Sequence, residues 1–417
     1  MNTLRPVRGT RDIVGEDALR HRKVIETGRE VAARYGYAEV ATPIFEFTEV
    51  FARTLGETSD VVTKEMYSFT DRGGEAVTLR PEYTAGIARA FISGSLGQNL
   101  PIKLFCSGPM FRYERPQKGR LRQFHQIDVE VIGAPEPLAD VEVIALGAQI
   151  LRALGLSEHA RLELNTLGDP ESRRAYRDRL VGYLAGYRDR LSPDSQARLE
   201  RNPLRILDSK DAGDREILRG APTLDASLNE QSRSFFADVR AGLDALGIAY
   251  VINPLLVRGL DYYTHTAFEF TTDKLGAQGA VIAGGRYDGL VAAMGGPDTP
   301  GIGWAAGVER LAMLLDETPA SVRPVAVVPI GAGVELAALQ LAEELRRSGH
   351  EVEFGFRGKL GQRLKRAAQQ QARFAVLLGE DELAAGQVVL RDLDRGEQET
   401  VARGSLAARL RQAARDS

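Results

Sequence analysis

Two strand-like runs on either side of a short basic turn constrain the fold of this chain more than any other feature of its sequence. Residues 102–114 (IKLFCSGPMFRYE) and 122–133 (RQFHQIDVEVIG) are separated only by RPQKGRL. Strands this close in sequence pair in antiparallel fashion, because a parallel pair needs a crossover of a dozen or more residues. The sequence therefore predicts a long antiparallel hairpin.

The turn of this hairpin is strongly basic. Between residues 110 and 125, five basic side chains accompany a single acidic one, Glu114, so the local charge is +4 in a chain of formal net charge -3. A solvated turn and an anion-binding site both explain such a charge. Arg112 favours the anion site, because it lies among apolar strand residues, where a guanidinium group needs an anionic partner.

Length and composition exclude several classes of protein. The 417 residues suggest two or three domains, each with its own core. The single cysteine, Cys106, excludes an intrachain disulfide and a cysteine-based zinc site, which fits a reducing compartment and predicts a cytoplasmic location. No segment approaches the ~20 apolar residues of a membrane span, so we expect a soluble protein. The net charge by itself argues against a general nucleic-acid binder.

The sequence pattern indicates an α+β domain followed by a smaller α/β domain. We expect an amphipathic helix over residues 16–35, extended structure over 38–51 and a helix over 306–316. Residues 169–246 are charged and helix-forming, with Asp169 as the N-cap and Pro170 at the first helical position, and are interpreted as an insertion. DETPASVRP (316–324) resembles a linker, and the alternating strands and helices after it predict parallel pairing.

Common nucleotide and metal signatures are absent from the sequence. There is no GxxxxGK[ST], the glycines of GIGWAAG have the wrong spacing for GxGxxG, and the five histidines form no HExxH pair, so we predict no zinc site. Ten glycines nevertheless fall within residues 276–307. Glycine is tolerated where the backbone turns sharply or approaches a ligand, so the clustering indicates one of these two situations.

Several motifs resemble those of one enzyme family. FRYERPQKGRLRQFHQIDVEVIG (111–133) resembles motif 2 of the class II aminoacyl-tRNA synthetases, and GIGWAAGVERL (301–311) resembles their motif 3. LVRGLDYYTHTAFEF (256–270) and AGGRYDGL (283–290) are similar to segments distinctive of the histidyl-tRNA synthetase family. TLRPEYT (78–84), RGTRD (8–12) and NPLRILDSKD (202–211) match it in the expected order. The resemblance covers essentially the whole chain.

This resemblance implies a fold, an activity and partners. The fold is an α+β class II catalytic domain over residues 1–318, built on an antiparallel sheet with a helical insertion, and an α/β anticodon-binding domain over 324–417. The family activates L-histidine with ATP to histidyl-adenylate, with release of pyrophosphate, and transfers histidine to the 3′ end of tRNA-His. Motif 1 would end near Pro43 and form the interface of a homodimer.

The resemblance also implies how ATP is bound. The carboxylate of the amino acid is itself the nucleophile, so the site has to orient reactants and neutralise phosphate charge, with Mg²⁺ between the β- and γ-phosphates. Guanidinium groups suit this task because they match phosphate oxygens in pairs. The α-phosphate is assigned to the catalytic residues Arg112 and Arg258, the terminal phosphates to Arg120 and Arg310, the adenine ring to Phe124 and its amino group to Glu114.

A partner is implied for each polar group of histidine. One departure from the family pattern adjoins this site, since Tyr83 stands where many members have glycine, which bears on the backbone beside the amino-group site. We expect the glycine-rich segment to pass close beneath histidine and ATP. The head group is assigned to Glu82, Thr84 and Gln126, the imidazole nitrogens to Glu130 and Tyr263, and the lining of the pocket to Tyr262 and Tyr287.

Transfer RNA would contact both domains. The motif 2 loop would reach the acceptor stem, and a C-terminal run between residues 354 and 379, with six basic residues and no acidic one, would contact the phosphates of the anticodon arm. A solvated helix face is the alternative for that run. The implied contacts are Arg115, Lys118 and Arg122 in the loop, and Arg357, Lys359, Arg363, Lys365 and Arg366 in the C-terminal domain.

Two other functions share parts of this pattern. The synthetase-like regulatory subunit of ATP phosphoribosyltransferase has the fold and a histidine pocket, but it typically lacks the anticodon-binding domain and keeps the catalytic arginines poorly. Here Arg112, Arg258 and Arg310 are present, and a full domain follows the linker. A prolyl or threonyl enzyme of class II is disfavoured by the RGLDYYT and GGRYDG segments.

Overall fold

The structure is a computed structural model that describes residues 4–55, 61–257, 262–276, 279–318 and 322–415. The chain forms two compact units, Met1–Pro319 and Ala320–Ser417. The helices and strands of the first unit are α1 (Glu16–Arg34), β1 (Ala38–Glu39), β2 (Phe45–Phe47), α2 (Thr48–Leu55), β3 (Tyr67–Thr70), β4 (Ala76–Leu79), α3 (Thr84–Ser93), β5 (Ile102–Phe111), β6 (Gln123–Ile132), α4 (Pro137–Ala153), β7 (Arg161–Thr166), α5 (Pro170–Ala185), α6 (Pro193–Arg201), α7 (Ala212–Leu218), α8 (Glu230–Ala245), β8 (Tyr250–Ile252), β9 (Thr264–Thr271), β10 (Ala280–Arg286), α9 (Leu290–Ala293), β11 (Gly301–Gly307) and α10 (Val308–Leu314).

An eight-stranded sheet in the order β1-β5-β6-β11-β10-β9-β7-β8 organises the first unit. Only the outer pairs β1–β5 and β7–β8 are parallel. The predicted hairpin is confirmed, with β5 and β6 antiparallel from Ile102 opposite Ile132 to Phe111 opposite Gln123. Helices α1, α4, α8 and α10 contribute to the apolar core against this sheet. The sheet therefore packs one face on these helices, while its other face is covered in part by α3 and α9 and also carries a cavity.

Side-chain alternation along β6 decides which residues reach the open face. Ile127, Val129 and Val131 belong to the helix-covered core. The intervening residues Gln126 and Asp128 line a cavity on the opposite face. This two-residue period is the general property of a strand, so one buried face and one ligand-binding face follow from a single stretch of sequence.

A buried ion pair ties the glycine-rich strand β10 to helix α4. The guanidinium group of Arg286 bonds to the carboxylate of Asp140, and both side chains have no exposed surface. Arg286 also donates to the carbonyl oxygen of Ala134 at 3.0 Å and to Asp288 at 3.0 Å. These bonds offset the free energy lost when the charges are buried. They also fix the position of Arg286, the neighbour of Tyr287 in the chain.

The insertion begins as its sequence predicts. Asp169 caps α5 by accepting a bond from the main-chain nitrogen of Ser172 at 2.7 Å, and Pro170 occupies the first helical position. Residues from Tyr176 to Leu228 form a separate small core. Helix α8 differs, because Val239 and Leu243 on it belong to the main core of the unit.

The extended structure expected over residues 38–51 is wrong at its C-terminal end. The strand β2 ends at Phe47 and α2 begins at Thr48. Phe45 and Phe47 are exposed on either side of a buried Glu46, which is strand alternation. The buried residues Val50, Phe51 and Thr54 instead have the spacing of a helix. The sequence FEFTEVF is too short to show where the two-residue period of a strand ends and the 3.6-residue period of a helix begins.

The second unit carries its own sheet in the order β13-β12-β14-β15-β16. The predicted parallel pairing holds for β12, β13 and β14, but β14–β15 and β15–β16 are antiparallel. The short connection 379–386 before β15 does not allow the crossover that a parallel strand requires. The elements are β12 (Val325–Pro329), α11 (Glu335–Arg347), β13 (Val352–Phe354), α12 (Leu360–Gln369), β14 (Phe374–Leu378), α13 (Glu380–Ala384), β15 (Gln387–Asp392), β16 (Gln398–Ala402) and α14 (Leu406–Arg415).

Candidate active site

A cavity of about 440 Å³ opens on the ligand face of the first unit. Its walls come from β6, β9, β10, β11, the hairpin turn and the start of α3. Of the residues predicted to bind ATP or histidine, eleven line it: Glu82, Thr84, Arg112, Glu114, Arg120, Phe124, Gln126, Tyr262, Tyr263, Tyr287 and Arg310. Glu130 lies just behind the wall, and Arg258 falls outside the described residues.

One end of the cavity is cationic. Arg112 donates from Nε to the carbonyl oxygen of Pro81 at 2.9 Å, and its guanidinium carbon lies 5.3 Å from the centroid of the Phe124 ring. Arg120 forms an ion pair with Glu114 at 3.1 Å, while Arg112 lies 4.0 Å from the same carboxylate. One carboxylate thus serves two guanidinium groups, and the wall keeps an excess of positive charge.

Arg310 joins this cationic wall from α10. It donates to the carbonyl oxygens of Gly119 at 3.2 Å and Ala280 at 2.6 Å, so main-chain atoms orient it. Burial, and then the nearby Arg120, lower the pKa of Arg310 from its ordinary value. A cation held among other cations is stabilised by an anion, so this end of the cavity is suited to phosphate.

The other end is acidic and aromatic. Glu82 accepts from the main-chain nitrogen of Ala85 at 2.8 Å and from the Tyr262 hydroxyl at 3.3 Å. Glu130 accepts from the hydroxyls of Thr84 at 2.6 Å and Tyr287 at 2.5 Å. Burial raises the pKa of Glu82, and it raises the pKa of Glu130 to about 8. Carboxyl groups with so little solvent favour a ligand that brings N–H donors or a positive charge.

The glycine-rich floor accommodates side chains of the protein itself. A Cβ atom on Gly303 would lie 1.8 Å from Oε2 of Glu130, and one on Gly301 would lie 2.1 Å from the Tyr287 ring. A Cβ on Gly285 would likewise come within 2.8 Å of the Tyr263 ring. The glycine-rich segment borders the cavity, since Gly279, Gly303 and Gly307 line it, and at positions 285, 301 and 303 the absence of a side chain also lets site residues lie close against the strands.

Tyr83, which departs from the family pattern, fits without displacing its neighbours. Its φ of -91° and ψ of -38° are ordinary for any residue, so no glycine is required here. The side chain is buried, and its hydroxyl accepts from Arg80 at 2.9 Å. Glu82 and Thr84 on either side of it still line the cavity.

Motifs 2 and 3 are joined by residues that sequence reasoning did not single out. The Glu309 carboxylate on α10 accepts from the main-chain nitrogen of His125 and lies 2.9 Å from its Nδ1 atom. His21 on α1 completes a cluster whose possible ligand atoms lie within 4.8 Å of one another. Sequence spacing did not predict this cluster, since its members come from three separate elements.

Further polar side chains line the cavity without having been predicted, among them Asp208, Lys210 and Glu269. Asp208 and Lys210 reach it from the insertion, in the NPLRILDSKD segment that had been noted only as a family match. Glu269 reaches it from β9 beside Arg310. Position in a family motif was the only sequence signal for all three, since Glu269 lies in LVRGLDYYTHTAFEF.

The predicted tRNA-binding residues differ in their exposure. In the motif 2 loop Arg115 and Lys118 are exposed, whereas Arg122 stacks 3.8 Å above the Tyr113 ring and donates to the Glu114 carbonyl oxygen. In the second unit the exposed residues include Arg357, Lys359 and Lys365.

The other two predicted C-terminal residues are engaged within the protein. Arg363 bonds to the carbonyl oxygen of Pro329, and Arg366 pairs with Glu353 at 3.0 Å. The positive surface of α12 is therefore smaller than its sequence suggested.

Ionisation of Glu130 predicts how stability depends on pH. Its pKa in the folded protein, about 8, exceeds the ordinary value of 4.5, so folding favours the protonated carboxyl group. The free energy of unfolding should fall as pH rises between these values, and Glu130→Gln should remove the part of this dependence that comes from Glu130, while Asp128 and Glu82, whose pKa values are also raised, retain theirs. Urea unfolding at about pH 5 and about pH 8, followed by fluorescence of the buried Trp304, measures the difference.

The matched control for this prediction is Glu30→Gln, since Glu30 is 71% exposed on α1. This control should leave the pH dependence of wild type intact. If Glu130→Gln also follows the wild-type curve, Glu130 ionises in the folded protein as it does in the unfolded chain, and the prediction is wrong.

Comparison with known proteins identifies the family. The family model described as histidyl-tRNA synthetase matches residues 9–168 and 194–311, and the model described as anticodon binding domain matches 324–413. The histidine–tRNA ligase of Rhodospirillum rubrum is 65% identical over 402 residues, which cover 96% of this chain and 97% of the relative. That of Gluconacetobacter diazotrophicus is 59% identical over 402 residues, with the same coverage.

Solved structures support the same conclusion. The apo histidyl-tRNA synthetase of S. aureus superposes with a TM-score of 0.81 at 35% identity, covering 97% of this chain and 99% of that one. A Bacillus halodurans protein titled ATP phosphoribosyltransferase regulatory subunit/histidyl-tRNA synthetase has a TM-score of 0.68 at 23% identity, over 91% of this chain and 99% of that one, and shows the fold alone. The predicted fold class and the predicted family are confirmed: the chain belongs to the histidyl-tRNA synthetase family.

Proposed function

We propose that this chain is a histidine–tRNA ligase, which forms histidyl-adenylate and pyrophosphate from L-histidine and ATP and then transfers histidine to tRNA-His. One observation carries the proposal: a single cavity has three arginines at one end and buried carboxyl and tyrosine groups at the other. The first end complements a triphosphate, and the second complements an ammonium and an imidazole. Family membership favours this enzyme over the regulatory subunit.

At the cationic end, the protein acts by positioning and charge neutralisation. The histidine carboxylate attacks the α-phosphorus, and Arg112 and Arg258 are proposed to stabilise the charge that develops there. Arg120 and Arg310 would bind the terminal phosphates, Phe124 would stack on adenine, and Glu114 would accept from its amino group.

Mg²⁺ is proposed to bind together with the ATP phosphates. The ion supplies neutralisation of phosphate charge, and carboxylate oxygen is the ligand type it prefers. Glu269 fits this chemistry, since it lines the cavity and lies close enough to Arg310 for its charge to oppose in part the lowering of the Arg310 pKa by burial.

At the acidic end, hydrogen bonds would select histidine. Glu130 and Tyr263 are proposed to contact the two imidazole nitrogens, with Glu130 exchanging one of its hydroxyl partners for an imidazole N–H. Glu82, Thr84 and Gln126 would contact the head group, while Tyr262 and Tyr287 enclose the ring. A site that pairs both nitrogens rejects analogues that lack them, because its own buried groups would be left unpaired.

Histidine-dependent exchange of pyrophosphate into ATP tests the proposed reaction, and Gly303→Ala tests the site. The new methyl group would occupy the position of the Glu130 carboxylate. We expect wild type to catalyse exchange and Gly303→Ala to lower kcat/KM for histidine on the order of 100-fold, as displacements of about 1 Å commonly do. Other amino acids should not stimulate exchange.

Gly289→Ala is the matched control from the same glycine-rich segment, since a Cβ there meets no atom within 4 Å. It should retain exchange close to that of wild type. A folded wild-type protein that binds histidine without any exchange would contradict the enzyme and favour the regulatory function. Equal activity of Gly303→Ala and Gly289→Ala would contradict the role of the glycine floor.

The second unit is proposed to bind the anticodon arm. Phe356 is 76% exposed and is followed by the exposed Arg357 and Lys359. An exposed aromatic ring beside basic side chains is the combination that stacks unpaired bases while contacting phosphates. Lys365 and Arg366, which is exposed although it pairs with Glu353, would add to this surface, and Arg115 and Lys118 would contact the acceptor stem.

Aminoacylation kinetics test the anticodon surface. Phe356→Ala should raise KM for tRNA-His about tenfold or more, since stacking contributes about 1–3 kcal/mol per base. Pyrophosphate exchange, which needs no tRNA, should stay unchanged. Leu336→Ala, at a residue that is 77% exposed in the same unit, is the control. If Phe356→Ala leaves the KM for tRNA-His unchanged, Phe356 does not take part in anticodon binding.

A homodimer and a cytoplasmic location are also proposed. Phe45, Phe47 and Phe69 are more than half exposed on the three-stranded sheet β2-β4-β3, next to the expected motif 1. An exposed apolar patch of this kind is typical of a subunit interface.

Sedimentation should give about twice the mass of the 45.5 kDa chain, and a monomer would contradict the dimer.

In the described residues no helix combines the length and apolarity needed to cross a membrane.

A further inference from the structure

Strand β6 presents one carboxyl group to the cavity that has no assigned role. Alternate residues of this strand, Phe124, Gln126 and Asp128, line the cavity, and Glu130 lies just behind it. Phe124, Gln126 and Glu130 have roles in the proposed function. Asp128 lies between the last two on the same face, and it is only 1% exposed.

Asp128 lacks the hydrogen bonds that the other buried carboxyl groups of the cavity have. Glu82 and Glu130 each accept two bonds from neighbouring groups. Within the described part of the chain, Oδ2 of Asp128 has no hydrogen-bond partner, and the same is true of Oε1 of Gln126. Two buried acceptors, two residues apart on one face of the strand, therefore have no hydrogen-bond donor among the residues that the structure describes. A buried acceptor without a donor lowers the stability of the protein, so a ligand that supplies donors would be bound favourably here.

The nearest arginine does not meet this need. Arg80 is buried beside the site, but its nitrogens donate to the carbonyl oxygens of Pro109 and Thr42 and to the hydroxyl of Tyr83. Burial raises the pKa of Asp128 well above its usual range, and the neighbouring Glu130 and Glu82 raise it further. A ligand with a positive charge and several N–H donors would relieve this arrangement.

We propose that Asp128 binds the α-ammonium group of the histidine substrate, together with Glu82 and Gln126. An ammonium group has three N–H donors, and these residues offer three acceptors on adjoining walls. Thr84, to which family resemblance assigns part of this role, donates its hydroxyl hydrogen to Glu130 and can still accept a hydrogen bond, so Asp128 adds to its contribution. The inference rests on the proposed function, since it takes histidine as the ligand of the cavity.

Calorimetric binding of three ligands to the full-length chain tests the role of Asp128. Histidine and histidinol both carry the ammonium group, whereas imidazolepropionate keeps the ring and the carboxylate but lacks it. Asp128→Asn should weaken binding of the first two by about 10- to 100-fold, as loss of a charged hydrogen bond commonly does, and should leave imidazolepropionate unchanged. Ile127→Val, on the opposite face of β6, is the control and should bind all three like wild type.

The pattern across ligands separates binding from a structural role. Equal weakening of all three ligands by Asp128→Asn, or no weakening of any, would overturn the inference. Asp128→Ser supplies the same comparison if the asparagine variant does not fold. A wild-type protein that binds neither histidine nor histidinol would instead overturn the proposed function, and this inference with it.

Discussion

The contact between the Glu130 carboxylate and the main chain of Gly303 is the constraint on which the rest of the site depends. Strands β6 and β11 pair with Glu130 opposite Gly303, and the carboxylate occupies the space where any other residue would place a Cβ atom. From this position Glu130 receives the hydroxyls of Thr84 on α3 and Tyr287 after β10. One glycine thereby lets three distant segments converge on a single buried carboxyl group.

Charge is divided between the two ends of the same cavity. The cationic end is built on α10, the hairpin turn and β5, and its guanidinium groups are oriented by carbonyl oxygens of Pro81, Gly119 and Ala280. The acidic end is built on β6 and α3. Under the proposed function, a zwitterionic amino acid would match this division, with its ammonium at the acidic end and its carboxylate near the α-phosphate of ATP. The separation of charge would then orient the substrate before any chemical step.

Much of this arrangement was predictable from local sequence. The antiparallel hairpin of β5 and β6 and the capped start of α5 follow from short-range patterns, which is why their structures agree with expectation. One prediction failed at Thr48, where a short segment is compatible with both the strand period and the helix period. Another failed at β15, where the short connection before the strand makes it antiparallel and not parallel. Arg122 and Arg363 also looked like exposed cations in sequence, but tertiary contacts engage them within the protein.

The sequence by itself determined the family and eleven of the residues that line the cavity, because the motifs that carry them are encoded locally. The tertiary structure alone decided what those residues do to one another. It placed the glycines of β10 and β11 beneath Glu130, Tyr287 and Tyr263, and it brought Asp208 and Lys210 from the insertion to the cavity. It also left Asp128 without a hydrogen bond to its Oδ2 atom among the described residues. Packing and hydrogen-bond partners depend on residues far apart in the chain, so no local pattern specifies them.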